Sequence, residues 1–325
     1  MTGEQGGVGV VGLGLIGGGV ALDLLRGGHE LVGFDVDPDV RARARELDID
    51  VVEDLSTLVS RCELAVVAVP LEEVPGVLSA VRGQRPDLLV TDVASVKDLE
   101  VLGAGGLDHF VGGHPMAGNE RSGIDAARPG LFDGAVWYVT PRPDTLVGDL
   151  VAVLELVRTL AGEPVPVDVP THDRYVALLS HVPHLLAYGL HASASEIMGE
   201  GVHGLGGGSF RDVTRVAASD PGFWADVLHA NRQAVREALT LVDAWLSGRA
   251  DDLEDPDELE HQLAAGRRLP HARPRDAEVE VVLPGPAERL GLGSVEELCR
   301  LGASGISVVG LDVSTEAVTV RLAPL

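Results

Sequence analysis

Between Val8 and Asp35 the chain commits itself to one kind of fold. An apolar run, Val8 to Val11, passes straight into Gly12, Gly14 and Gly17, Leu15 to Arg26 carries the apolar spacing of a helix, and a second apolar run, Glu30 to Phe34, ends on Asp35. Strand, tight turn, helix and strand make a βαβ unit. Within the turn the first glycine allows the sharp reversal, the second lets a pyrophosphate approach the backbone, and the third lets helix and strand pack. Leu13, Leu15 and Ile16 fill the intervening positions, and the helix N-terminus they open faces the phosphates. Asp35 lies about 20 residues beyond the glycines, where such a fold holds the carboxylate that meets the ribose hydroxyls. Seconded by Asp37, it repels a 2′-phosphate, so the motif predicts NAD rather than NADP as cofactor.

Further short apolar runs, Leu64 to Val69 (followed by Pro70), Leu88 to Thr91, Phe110 to Val111, Ala135 to Thr140 and Val165 to Val169, alternate with helical stretches such as Leu146 to Ala161. This alternation predicts an α/β Rossmann-type domain over residues 1–169, a mostly parallel sheet covered by helices. Val69 and Pro70, closing one such run, are expected to line the cofactor cleft. After Pro170 strands vanish. Helical periods run from His172 to about Met198 and from Pro221 to Leu246, so residues 170–250 read as an all-α domain. Trp224, Val227, Leu228, Val235, Ala238, Val242 and Trp245 recur at three- and four-residue intervals, a stripe that two helices and a loop can hardly enclose; burial against a second copy, a homodimer, is expected. An acidic stretch, Asp251 to Glu260, reads as helical, and the Pro- and Arg-rich Arg267 to Arg275 as an exposed linker, so residues 251–275 join the helical domain to a C-terminal segment. That segment, residues 276–325, reads as strand, helix, strand, strand, a small α+β appendage that looks like part of a regulatory ACT domain.

Composition removes several classes of function. Fifty acidic against 25 basic residues give a formal charge of −25, which repels nucleic acid and anionic membranes; any site for an anion needs its own local cation. The apolar runs are too short to span a bilayer, and the first of them has no basic segment ahead of it and no cleavage site after it, so the expected location is the cytoplasm. The two cysteines, Cys62 and Cys299, lie far apart and read as reduced packing residues rather than a disulfide or metal site.

Several segments carry chemistry. Gly112 to Gly123 (GGHPMAGNERSG) reads as a glycine-permitted turn stiffened by Pro115 that presents His114, a residue able to take a proton near neutral pH. Thr91 to Lys97 lies at the carboxyl end of a strand; Ser95 there either hydrogen-bonds a ligand or caps a following helix. In Ser180 to His184, Pro183 interrupts a helical pattern and bends it, a defect that often marks a site; without a third ligand, His181 and His184 suit substrate contact better than metal, and no metal is expected. Gly206 to Arg215 joins a flexible glycine run, including Gly207, to Arg211 and Arg215, one of which suits a carboxylate and the other of which reads as surface charge.

Taken in order, GLGLIGG at Gly12 to Gly18, DVASVK at Asp92 to Lys97, GHPMAG at Gly113 to Gly118, SHVPH at Ser180 to His184, and FRDVTR with SDPGFW from Phe210 to Trp224 resemble the prephenate dehydrogenase family, including its arogenate- and cyclohexadienyl-using members, over roughly residues 8 to 247. The resemblance implies an NAD-dependent oxidative decarboxylation. It implies His114 as acceptor of the substrate hydroxyl's proton, Ser95 as a bridge between that hydroxyl and the nicotinamide, Arg215 as the grip on a carboxylate, and His184, Gly207 and Trp224 as further contacts. Asn119 departs from the threonine common after the motif, which keeps arogenate and 4-amino-4-deoxyprephenate open beside prephenate. With an unperturbed histidine the rate falls as pH drops through about 6.5. A 6-phosphogluconate-type dehydrogenase is disfavoured because the helical region has no lysine. A silent NAD-binding sensor is disfavoured by the intact His114, Ser95 and Arg215.

Overall fold

The computed structural model describes residues 7–119, 121–199, 206–267 and 278–325. Its first half alternates β1 (Val8–Val11), α1 (Leu15–Arg26), β2 (Leu31–Phe34), α2 (Pro38–Glu46), α3 (Leu55–Arg61), β3 (Leu64–Val67), α4 (Val74–Gln84), β4 (Leu89–Asp92), β5 (Phe110–Pro115), β6 (Val136–Thr140), α5 (Val147–Thr159) and β7 (Glu163–Pro166). The strands form one sheet ordered β2-β1-β3-β4-β5-β6-β7, parallel except where β6 runs against β5. Helices cover both faces, which is why β3 and β4 are buried at every position and read as continuous rather than alternating apolar runs. The order reverses at β1, and the cleft for a ligand opens there, beyond the carboxyl ends of β1 and β3.

One sequence expectation fails at β5. The strand continues through Gly112, Gly113 and His114, with His114 paired opposite Tyr138, so His114 is presented by a strand and not by a turn. Neither glycine has a positive φ. Their smallness serves close packing instead: a Cβ on Gly112 would lie 2.4 Å from Thr140 Oγ1, and one on Gly113 would lie 2.7 Å from the Asp92 carbonyl oxygen.

The helical half comprises α6 (Val169–Val176), a π-helical turn (Ala177–His181), α7 (Val182–Met198), α8 (Gly208–Thr214), a 3-10 turn (Arg215–Ala218), α9 (Pro221–Ala230), α10 (Arg232–Asp252) and α11 (Pro256–Gly266). The irregularity expected at Pro183 takes the form of the π turn just before it, which accommodates a residue that has no N–H and would crowd the preceding turn. The single helix expected from Pro221 to Leu246 is two, broken at Asn231 (φ −96, ψ 24). The stripe is also not reserved for a second copy. Trp224 and Val227 pack into the core of the nucleotide-binding half, and Val235 and Ala238 pack on Ala177 and Val182. A few long-range contacts with the first domain achieve what two helices alone could not. Most of the expected linker, residues 268–275, lies outside the described residues.

The remaining unit, β8 (Val279–Pro284), α12 (Gly291–Ala303), β9 (Ile306–Val313) and β10 (Ala317–Pro324), has the expected strand, helix, strand, strand order and forms an antiparallel sheet ordered β8-β10-β9. It does not hang from its linker. α12 and β9 pack on β7, and Val281, Leu283 and Leu298 join the same hydrophobic cluster as Leu150 and Leu154 of α5. β7 is the sheet's edge strand and carries Pro164 and Pro166, which lack N–H groups; the C-terminal unit covers that edge. Among the described residues no helix is long and apolar enough to cross a membrane.

Candidate active site

The cofactor loop is built as the glycine spacing requires. Gly12 adopts φ +88, and a Cβ there would lie 2.5 Å from the Ala68 carbonyl oxygen and 3.0 Å from Val69 Cγ1. A Cβ on Gly17 would fall 1.8 Å from the Gly12 carbonyl oxygen, so helix and strand meet too closely for any side chain. Around Gly14 there is nothing within 4 Å, which leaves the approach to the backbone open. Leu15 and Ile16 begin α1, and Pro70 is exposed at the end of β3 beside the same cleft. The Asp35 carboxylate is fixed at the mouth by two backbone donors, Leu13 N at 2.8 Å and Asp37 N at 2.9 Å. This open cradle beside a fixed acid fits a dinucleotide.

Ser95 follows β4 on the same edge of the sheet. Turns rather than a helix come after it, so it caps nothing, and its hydroxyl has no protein partner among the described residues. Nearby, Lys97 and Asp92 form an ion pair in which both side chains are fully buried. Asp92 also accepts from Ala94 N at 3.0 Å and from Gly113 N at 3.2 Å, which ties the end of β4 to the strand that carries His114.

His114 is buried, and its Nδ1 lies 2.9 Å from His172 Nε2; His172 Nδ1 in turn lies 2.7 Å from Asp173 Oδ1. The same carboxylate oxygen accepts from Lys97 N at 2.9 Å. Proton positions follow from the far end. An ionised Asp173 only accepts, so His172 carries its proton on Nδ1 and offers a bare Nε2; His114 then donates from Nδ1, and its own Nε2 is left as a free lone pair. Burial first, then the fields of His172, Lys97 and His181, push the His114 pKa well below the usual imidazole value. Its base form therefore persists to lower pH than an unperturbed histidine's would. Burial has the opposite effect on Asp173, raising its carboxyl to about 6 against the pull of the Lys97 N–H and charge.

The helical half supplies the opposite wall. His181 is buried and accepts from Asn231 Nδ2 at 3.2 Å, while the same amide nitrogen donates to the Asp173 carbonyl oxygen at 2.8 Å. Burial lowers the His181 pKa to about 4, so it is a neutral neighbour of His114. His184 donates from Nδ1 to the Ser180 carbonyl oxygen at 2.8 Å and stacks on Trp224 with ring centroids 3.5 Å apart. Burial lowers its pKa, and Arg215, close enough to be felt, lowers it further. His184 and Trp224 thus form one stacked group, with the His181 ring 6.0 Å from that of Trp224.

Two expected site residues are exposed. Asn119 is exposed and its side-chain oxygen accepts from Arg121 N at 2.8 Å. Gly207 is the exposed residue before α8, with nothing within 4 Å of a Cβ placed on it. Conversely, sequence reasoning passed over His172 and Asp173. Their only signal is a His-Asp pair in the first turns of the helix after the last sheet strand, and nothing local distinguishes it from a solvated helix start.

A parallel nucleotide-binding sheet with a buried, neutral imidazole at its carboxyl edge, walled by a helical second domain, defines a dinucleotide-dependent dehydrogenase. Family models described as prephenate dehydrogenase, nucleotide-binding domain, and prephenate dehydrogenase, dimerization domain, match residues 20–164 and 168–251. The chain is 33% identical over 252 residues to prephenate dehydrogenase of Bacillus subtilis (strain 168), a match covering 73% of this chain and 66% of that protein, just under two thirds of its length. It is 30% identical over 244 residues to cyclohexadienyl dehydrogenase of Zymomonas mobilis, covering 71% of this chain and 83% of that protein. The crystal structure of prephenate dehydrogenase from A. aeolicus in complex with hydroxyphenyl propionate and NAD+ superposes with a TM-score of 0.74 at 26% identity, covering 82% of this chain and 98% of that one. The chain belongs to the prephenate dehydrogenase family and is an NAD-dependent oxidoreductase.

Proposed function

We propose that this protein catalyses the oxidative decarboxylation of prephenate to 4-hydroxyphenylpyruvate, with His114 as the base. The observation that carries this reading is the His114, His172, Asp173 chain, which leaves His114 Nε2 bare at the carboxyl edge of the sheet. Gly12, Gly14, Gly17 and Asp35 hold NAD, with Leu13, Val69 and Pro70 along the cleft; when bound, it accepts the hydrogen and electron pair that leave the carbinol carbon. His114 Nε2 takes the hydroxyl proton as the carbonyl forms. The ring carboxylate then departs as carbon dioxide, its bonding electrons completing the aromatic ring, which makes the reaction irreversible. Asp173, through His172, stabilises the imidazolium that this creates. Ser95 orients the hydroxyl, and Arg215 supplies the local cation that an acidic protein needs to hold a carboxylate.

The helical domain also carries exposed apolar side chains, among them Leu179 at 60%, Leu241 at 69% and Trp245 at 43% exposure, which suit the homodimer that the dimerization-domain match supports. Two buried, unpaired cysteines suit the reducing cytoplasm. The test is His114→Asn, expected to lower turnover by about 100-fold or more while NAD binding, followed by protein fluorescence, is kept. Turnover at the parent rate overturns the assignment. Rates of the parent enzyme on prephenate and arogenate decide the substrate, a faster rate on arogenate overturning the choice of prephenate.

A further inference from the structure

The end of α12 is tied both to β7 and to α6, the helix that carries half of the proton chain. The Gly302 Cα presses on β7 so closely that a Cβ there would lie 1.8 Å from the Pro166 carbonyl oxygen. Cys299, one turn earlier and buried, sits in the field of Asp168, the residue that caps α6 by accepting from Thr171 N at 2.8 Å. At the other end of α6 the Tyr175 hydroxyl donates to the Ala303 carbonyl oxygen at 3.0 Å. The strand before α6 and the last turn of α6 are therefore both held by α12. Between them lie His172 and Asp173, in the first turns of a helix that runs on without a break through the π turn into α7.

We infer that the C-terminal unit sets the position of α6, and with it the His172–Asp173 end of the proton chain, so that Tyr175 is a positioning residue for the base at His114. The inference rests on the proposed role of His114. The alternative is a purely structural unit that shields the β7 edge, and β7 offers a way to separate the two. Among the unit's other polar contacts, Ser307 Oγ donates to Glu163 Oε2 at 3.2 Å, on β7 itself and not on α6. Both variants loosen the same unit, but only one loosens α6.

The groups facing Asp173 are His172 from its own helix, Lys97 and Asp98 from the loop after β4, and His181 from the π turn, with Asn231 on its carbonyl oxygen. A shift of α6 changes Asp173's distance to the groups on the other elements at once.

Tyr175→Phe and Ser307→Ala are compared in the full-length protein, for melting temperature, kcat, KM for NAD, and the acid limb of the kcat profile. Tyr175→Phe is expected to lower kcat about fivefold, as for loss of one aligned hydrogen bond, and to move the acid limb by about half a unit, with KM for NAD unchanged. Ser307→Ala is expected to lower only the melting temperature. Gly302→Ala, which displaces α12 from β7, is expected to move the limb in the same direction if it folds. Unchanged kcat and unchanged acid limb in Tyr175→Phe, or equal shifts in Ser307→Ala, overturn the inference. Activity of His114→Asn at the parent rate instead overturns the reading beneath it, so the two failures are distinct.

Discussion

Replacing Lys97 by Met leaves a carboxylate stranded in the interior. The pair it forms with Asp92 has no exposure on either side chain, and Met matches the aliphatic stem but not the charge. Burial already lowers the lysine's pKa against the fields of Asp92 and Asp173, so the cation is held there only by its partners. In the variant Asp92 keeps its two backbone donors, Ala94 N and Gly113 N, and loses its counter-charge. Removing one member of a buried pair costs about 3–5 kcal/mol, while replacing both with neutral groups is often nearly neutral. A chain of 325 residues gains roughly 0.7 kcal/mol/K of entropy on melting, so the single variant should melt about 4–7 °C lower. Lys97→Met with Asp92→Asn should recover most of that loss. The chemistry should move as well. Lys97 is one of the charges holding the His114 pKa down, so its removal raises that pKa and shifts the acid limb of kcat/KM to higher pH. Calorimetric melts of parent, single and double variants form the cycle. If the double variant melts no higher than Lys97→Met, the penalty is packing rather than uncompensated charge, and the reasoning is refuted.

Folding stability should fall with acid. His114, His172 and His181 all have folded pKa values below the usual 6.5, so their contribution is present above pH 6.5 and lost as pH falls below it; His181, at about 4, accounts for about 3 kcal/mol of this by pH 4. Asp173, raised from 3.8 to about 6, acts in the opposite sense and returns about 2 kcal/mol by pH 4, in the same direction as the raised Asp23 and Asp149, while His114, His172 and His184 add to the loss. Urea midpoints at pH 7.5 and pH 5 check this, and an unchanged or higher midpoint at pH 5 contradicts it. Gly113→Ala, whose Cβ meets backbone at 2.7 Å, should cost about 1–3 kcal/mol and depress kcat by displacing the neighbouring His114; a parent-like melt and rate would show that the strand has slack. Asp35→Asn should narrow the preference for NAD over NADP, read from the ratio of their kcat/KM values, and an unchanged ratio removes Asp35 from cofactor choice.

The nucleotide-binding half was legible in the residues because its signals are local. Gly12, Gly14, Gly17 and Asp35 act within one strand-turn-helix unit, and buried parallel strands announce themselves as short apolar runs. The candidate base at His114 could be named, but a turn is not what its glycines serve: their value lies in the close approach of Thr140 and Asp92, residues far away in the chain. The stripe on α9 and α10 showed that a face is buried and not against what, since periodicity records burial and carries no address.

By itself, then, the sequence determined the sheet and the cofactor loop, which depend on spacing along a few turns of chain, and offered His114 as the candidate base. Only the tertiary structure decided that His172 and Asp173, 58 and 59 positions beyond His114, orient it, that Lys97 neutralises Asp92 in the interior, and that the last 48 described residues close the sheet's edge. Proton placement in a buried chain of hydrogen bonds is settled by which groups meet in space and how far water is excluded from them.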